Sequence, residues 1–272
     1  MDILILCNQN DAVAIALYGQ LTNSGEKVYL ITAEELIYAA SWNHEINEKG
    51  KGTTEIILQN GYIIRSAELK SAWNRIRYFP MTHFKNETDR YYAQSEMFAL
   101  YFSFLKSIND VLANPVHTYD LVFEEDNTWY QKKQAIDAGL AVCDYHFTSS
   151  PKWRSSPNLI PVMVNKKPGS LFQKTAPYLV WQNLPVLYKE ANPGISKAWI
   201  AGKEIIAGKL PVEKAALRKL SKNLNKPFLE IDFANTPSGI KVSCINTFPL
   251  AAPSLVINSL ASLLIQKKIK TR

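Results

Sequence analysis

The chain has 272 residues, 47% of them hydrophobic and 20% charged, with a formal net charge of +7 at pH 7. That balance supports one large domain or two modest ones, each with its own core, and leaves little room for extended disorder. The early apolar run at 3–7 is too short to cross a bilayer and lacks the basic flank of a signal peptide, so the expectation is a cytoplasmic protein with no membrane partner. Three widely spaced cysteines, Cys7, Cys143 and Cys244, fit neither a disulfide framework nor a paired zinc site and are read as reduced thiols. The basic excess favours anionic partners and is densest in the tail, at Lys267, Lys268, Lys270 and Arg272. Elsewhere the lysines are scattered rather than striped with aromatics, which favours a solvated surface over a nucleic-acid face.

In chain order, residues 2–7 read as a buried strand, and 8–11 (Asn-Gln-Asn-Asp) as a loop able to cap the helical stretch 12–22, which Gly25 ends. A second strand at 27–32 completes a strand, helix, strand opening typical of a parallel crossover. No GxGxxG turn is present, so a dinucleotide site is not supported. Between 41 and 65 short alternating runs form an antiparallel insertion, with Asn60-Gly61 expected as a two-residue turn in which both residues take positive φ. Residues 72–79 predict one more strand, rich in Trp73, Arg75, Arg77 and Tyr78 and closed by Pro80. The stretch 87–108 predicts a long helix, apolar nearly all round and therefore covered on more than one side. Asn114-Pro115 marks a lobe boundary, dividing the chain into 1–118 and 119–272.

Beyond it, a short helix at 129–138 should stop at Gly139 in the left-handed conformation. Strands are expected at 160–165 and 184–189, then a hairpin from 196–200 to 204–209 turning at Ala201-Gly202-Lys203. A lysine-rich amphipathic helix at 212–224, strands at 228–233 and 239–244 and a final helix at 254–266 complete an α/β chain without internal repeats. His44, His83, His117 and His146 show no metal-binding spacing, and no serine sits in a nucleophile elbow, so no residue is assigned a catalytic role from spacing alone.

Three strings carry a resemblance. The first is Ala72-Trp73-Asn74-Arg75-Ile76-Arg77-Tyr78-Phe79-Pro80, followed by a long helix and Leu112-Ala113-Asn114-Pro115. The second is the helix from Asn127 to Leu140, with Gln131, Ala135 and Gly139-Leu140 in step. The third is the hairpin with Ile231-Asp232-Phe233, Ser238-Gly239 and Ile245-Asn246-Thr247-Phe248-Pro249. Together and in this order they resemble the ATP-grasp superfamily, in particular the ligases that cross-link or modify ribosomally made peptides. The resemblance implies a mixed-sheet N-terminal lobe and a reduced pair of ATP-grasp subdomains. It also implies an acyl-phosphate chemistry driven by ATP and Mg²⁺, and a peptide partner.

Ligase chemistry of this type rests on positioning and on neutralising the triphosphate, with two lysines and Mg²⁺ on hard oxygen ligands. The resemblance places Thr128 where the first lysine should stand, and a hydroxyl supplies no positive charge. Lys132 and Lys133 follow one turn later. For the second lysine the candidates are Lys166 and Lys167, with Lys167 before Pro168 the better fit, although a solvated pair entering a turn explains them equally well. Glu190 lies on the strand that would contact adenine. At the metal hairpin Asp232 and Asn246 remain, but Cys244 replaces the carboxylate expected two residues before the asparagine, and a thiol is a poor Mg²⁺ ligand. The bland reading of Cys244 is a small buried hydrophobe, which is favoured. The nucleotide candidates are therefore Lys132, Lys166, Lys167 and Glu190, and the metal candidates Asp232 and Asn246. Trp73, Arg75 and Arg77 are the peptide-docking candidates, with a buried Trp73 and solvated arginines as the alternative.

Three readings follow. The first is a divergent ATP-grasp-like protein with reduced or lost ligation, weak or absent ATP and Mg²⁺ binding, and a role in binding peptide or a partner enzyme. The second is an active ATP-dependent ligase joining a carboxylate of a ribosomal peptide to an amine, hydroxyl or thiol. The third, a basic polyanion-binding protein, ranks last because no stacking platform accompanies the basic residues. Dimers are common among such ligases, so a homodimer is also an expectation.

Overall fold

The computed structural model describes residues 2–115, 128–148, 159–161, 186–190, 195–208, 210 and 212–270. Strand β1 (Ile3–Cys7) is buried at every residue. It lies between β2 (Val28–Thr32) and β6 (Ser71–Arg75) in a parallel sheet ordered β2-β1-β6. A strand covered on both faces reads as a continuous apolar run, which is why Ile-Leu-Ile-Leu-Cys shows no alternation. Helix α1 (Ala12–Asn23) starts at Asp11, whose Oδ1 accepts the Val13 and Ala14 N–H groups at 3.1 and 3.0 Å. It ends as expected at Gly25, with φ +79°, where the Glu26 N–H closes back on the Leu21 carbonyl at 3.1 Å. Thr32 and Glu35 form a reciprocal capping box that starts the short α2 (Ala33–Ile37).

Strands β3 (Ser41–Ile46), β4 (Gly52–Ile57) and β5 (Ile63–Arg65) form the expected antiparallel insertion. The turn between β4 and β5 differs from the two-residue form. Gly61 has φ +80°, and Asn60 does not share the positive φ. Leu58 donates to Tyr62 at 2.8 Å and Gly61 donates to Leu58 at 3.0 Å, so the reversal is wider and needs only one left-handed residue. The strand expected over 72–79 also stops early, at Arg75. Beyond it the Ile76 and Arg77 N–H groups are taken by the side-chain oxygens of Asn74 and Asn8, both at 2.9 Å, which ends the ladder.

Helix α3 (Glu87–Ser107) is capped by Asn86, which accepts the Thr88 N–H at 3.0 Å. The expectation of cover on several sides holds only for its second half. Tyr101, Phe104 and Leu105 are buried against a core containing Leu4, Leu6, Ile56 and Ile64, while Tyr92 in the first half is 69% exposed. After α3, Leu112 bridges Ala72 in parallel. The Asn114 side chain then imitates a strand, accepting the Asn74 N–H at 3.0 Å and donating to its carbonyl at 2.7 Å.

Helix α4 (Thr128–Asp137) ends, as expected, at Gly139 with φ +89°. Strands β7 (Tyr145–Thr148), β8 (Leu159–Pro161) and β9 (Val186–Glu190) pair antiparallel in the order β7-β9-β8. Strands β10 (Ile195–Ala201) and β11 (Glu204–Ala207) form the expected hairpin through Gly202. Helix α5 (Lys214–Leu224) follows, then β12 (Phe228–Thr236), β13 (Gly239–Asn246) and helix α6 (Ser254–Lys270). The last sheet is ordered β11-β10-β12-β13. One face carries Leu229, Ile231 and Phe233 against Ala135 of α4 and Leu217 and Leu220 of α5. The other presents Ala201 and Phe228 to Val256, Leu260 and Leu264 of α6, which also pack with Leu17 and Leu21 of α1. Helix α6 is further held to the N-terminal sheet by Lys268, whose ammonium meets Glu26 at 2.5 Å and Asp2 at 3.5 Å. Among the described residues no helix is long and apolar enough to cross a membrane.

Candidate functional site

The polar end of the β10-β12-β13 face carries the two metal candidates. Side chains alternate along β12, so Phe228, Glu230 and Asp232 share a face while Leu229, Ile231 and Phe233 take the other. Cross-strand pairing sets Asp232 between Lys197 on β10 and Cys244 on β13, and sets Glu230 between Trp199 and Asn246. A bulge at Asp232/Phe233 leaves Ser243 over and keeps Cys244 and Asn246 in step with the two acids. Asn246 is doubly engaged: its Nδ2 donates to Glu230 Oε2 at 3.1 Å and its Oδ1 accepts the Phe248 N–H at 2.9 Å.

The centre of this group is Lys197. Its ammonium forms a hydrogen-bonded ion pair with Glu230 Oε1 and stands 3.4 Å from Asp232 Oδ1. That Asp232 oxygen is buried and has no hydrogen bond among the described residues. The Glu230 hydrogen bond raises the lysine's pKa, partial burial opposes this, and the charges of Asp232 and Glu230 add to the rise. Cys244 is exposed, not the small buried hydrophobe expected, because the bulge keeps it on the polar face opposite Asp232.

These residues do not fit Mg²⁺ as they stand. The divalent ion needs several free hard oxygens, whereas here an ammonium lies between the two carboxylates, the asparagine oxygen is taken by a backbone amide, and a soft thiol fills a ligand position. Among the described residues no three His, Cys, Asp or Glu side chains converge as a metal set.

A second cluster joins this hairpin to the N-terminal sheet. Arg75, at the end of β6, is 2% exposed. It pairs with Asp11 Oδ2 at 2.7 Å and donates to the Pro249 carbonyl at 2.9 Å. Arg77 donates to the Phe248 carbonyl at 3.1 Å. The two guanidinium groups lie 4.0 and 3.6 Å from the Phe248 ring centre, a cation–π arrangement. Trp73 is buried beside them, its ring 5.1 Å from the Arg75 guanidinium. Cys7, across from Arg75 in the sheet, has its thiol pushed up to about 12 by burial first and by the Asp11 charge second.

The remaining candidates scatter. Lys132 is buried on α4, a helix packed on the sheet face opposite to Glu230 and Asp232. Lys133 is exposed and pairs with Asp137 at 3.1 Å. Glu190 pairs with Leu159 at the end of β9. Lys166 and Lys167 lie outside the described residues. Sequence reading missed Glu230 and Lys197. Glu230 had a signal, since an acid two residues before Asp232 in a strand must share its face; Lys197 had none until the register of β10 on β12 was known.

No protein-family model matches the sequence, and no curated protein matches it. Solved structures do, and the fold they define is ATP-grasp. The macrocyclase MdnC of Microcystis aeruginosa MRC, bound with precursor peptide MdnA, aligns over 98% of this chain and 100% of that one with TM-score 0.69 and 15% identity. A Chryseobacterium gregarium RiPP-associated ATP-grasp ligase in complex with ADP and a leader and core peptide aligns over 98% and 97%, TM-score 0.68, 15% identity. The ATP-grasp ligase PsnB, complexed with minimal precursor, Mg and ADP, aligns over 98% of each chain with TM-score 0.70 and 14% identity.

Proposed function

We propose that this chain is a divergent ATP-grasp-type protein that binds a ribosomally made peptide, or the enzyme acting on one, with ligase activity reduced or lost. The observation that carries the reading is the pairing of Asp232 with Lys197 on one side and Cys244 on the other, within a chain whose fold aligns along nearly the whole length of a macrocyclase bound with its precursor peptide and of an ATP-grasp ligase in complex with a leader and core peptide. Charge neutralisation of a triphosphate needs cations aimed at the phosphates. Here Lys197 is already committed to two carboxylates, and a hydroxyl stands at Thr128.

In this reading any nucleotide would rest on Lys132, Lys166, Lys167 and Glu190, and would be held weakly. Peptide would approach α3 and the end of β6 with the residues just beyond it, around Trp73, Arg75 and Arg77. Trp73 and Arg75 support that surface from beneath, and the half-buried Arg77 and the exposed first turns of α3 offer the contacts.

Isothermal titration with Mg-ATP, followed by a peptide encoded beside the gene for this chain, tests the proposal. Weak or absent nucleotide binding with measurable peptide binding is the expected outcome. Tight nucleotide binding together with ADP release on adding peptide would overturn it and establish an active ligase. Unchanged peptide affinity in Arg77→Ala would reject the docking surface alone.

A further inference from the structure

We infer that the carboxylate pair of Glu230 and Asp232, with the Asn246 amide holding Glu230 in place, is a cation site whose resident cation is the chain's own Lys197 ammonium, and that this lysine is what keeps divalent metal out. The inference stands whether or not the chain takes up peptide, because it rests on the geometry of the sheet face alone.

Three observations converge. Lys197 makes its ion pair with Glu230 and stands 3.4 Å from Asp232 Oδ1, so one ammonium serves both carboxylates. Asp232 Oδ1 is buried without a hydrogen bond among the described residues, and the positive charge nearest to it there is the Lys197 ammonium. The second Glu230 oxygen is fixed by the Asn246 amide at 3.1 Å, which holds that carboxylate toward the lysine. Among the described residues, the cross-strand neighbours of the two acids besides Lys197 and Asn246 are Trp199, which brings no charge, and Cys244, an exposed thiol. Among the described residues, Lys197 is thus the cation that balances the two acids.

The consequence is a substitution of occupants. A lysine tethered to β10 neutralises the pair at no cost in association entropy, and a divalent ion could enter only by displacing it. Remove the positive charge and two carboxylates on neighbouring positions of one strand face are left facing each other. Such a pair is electrostatically unfavourable without a cation, and it offers the hard oxygens that Mg²⁺ and Mn²⁺ prefer. Lys197 is 45% exposed in its side chain, so Lys197→Met, which keeps the apolar stem and removes the charge, should leave the fold intact.

The experiment titrates Mn²⁺ alone into the full chain and reads free Mn²⁺ by its electron paramagnetic resonance signal, with circular dichroism as the folding control. Wild type should bind Mn²⁺ no more tightly than about millimolar, and Lys197→Met should gain about tenfold or more in affinity. Lys197→Arg, which keeps the cation, should bind like wild type. Adding Asp232→Asn to Lys197→Met should abolish the gain. The inference is overturned if wild type already binds Mn²⁺ as tightly as Lys197→Met, if Lys197→Met gains nothing, if Lys197→Arg gains as much, or if the gain survives Asp232→Asn. If Lys197→Met fails to fold, Lys197→Gln is read in its place under the same outcomes.

Discussion

The arginine cluster at the end of β6 and the lysine cluster on β12 use the same kind of charge pairing to opposite ends. Arg75 is almost fully enclosed, its ion pair with Asp11 having side-chain exposures of 1% and 7%. It also satisfies the Pro249 carbonyl and stacks on Phe248. Lys197 keeps 45% of its side chain exposed and shares its charge between Glu230 and Asp232. A buried pair with several fixed partners is structural, because removing one member strands the other away from water. A pair whose lysine stays half exposed to solvent contributes less to stability, so its effect falls on what else can occupy the site. Burial thus separates a clamp between two parts of the chain from a controllable cation site.

The sharpest way to break this comparison is Arg75→Ala. It should cost about 4 kcal/mol, because Asp11, the Pro249 carbonyl and a cavity are left behind. Chemical denaturation would measure it, and a loss under about 1 kcal/mol would remove the clamp from the account. Arg77→Ala, which gives up one carbonyl bond and one stacking partner, should cost about 1 kcal/mol in the same assay.

The cysteines beside the two clusters provide a second comparison. Cys7, opposite Arg75, is buried and its pKa is pushed up to about 12; Cys244, opposite Asp232, is exposed. Labelling with a thiol reagent at pH 8 should modify Cys244 at least about a hundredfold faster than Cys7. Equal rates in the folded protein would show that the N-terminal sheet opens readily.

Lys268 is an intermediate case, with 11% side-chain exposure and partners Glu26 and Asp2. Lys268→Met should cost about 2 kcal/mol at pH 7. Its hydrogen bond to Glu26, followed by the Asp2 charge, holds its pKa above the ordinary 10.5. The contribution is therefore fully present below 10.5 and disappears as pH climbs through the raised value. The difference between wild type and variant should stay flat to about pH 10 and shrink beyond it; a difference that grows with alkalinity would contradict the pairing. On the acid side, Asp2 is held below its ordinary 3.8, mainly by its hydrogen bond to Lys70. Its share is present above 3.8 and is lost as pH falls through the depressed value. The smallest effect is reserved for Lys197→Met, at under about 1 kcal/mol of stability. A loss as large as that of Arg75→Ala would place both clusters in one class.

Much of the secondary structure was legible. Asp11 before an apolar-periodic stretch, Gly25 and Gly139 after helices, and Gly202 in a hairpin each act through neighbours within a few residues, so their effect is written locally. The ATP-grasp fold itself was readable from three short strings in a fixed order. The errors fell where side chains compete with the ladder, as when Asn8 and Asn74 take the amides that would have extended β6. Another fell where a bulge decides which way a residue faces, as at Cys244.

Of the site, the sequence by itself determined that Asp232 and Glu230 share a strand face and that a thiol stands where a carboxylate was expected, because strand periodicity is two and needs no partner. Only the tertiary structure decided which cation meets those acids. Lys197 lies 33 positions from Glu230, and Arg75 lies 174 from Pro249. At such separations, strand register and the packing of α6 between the sheets choose the partner. A register shift of one residue would turn Lys197 to the apolar face and leave both carboxylates bare.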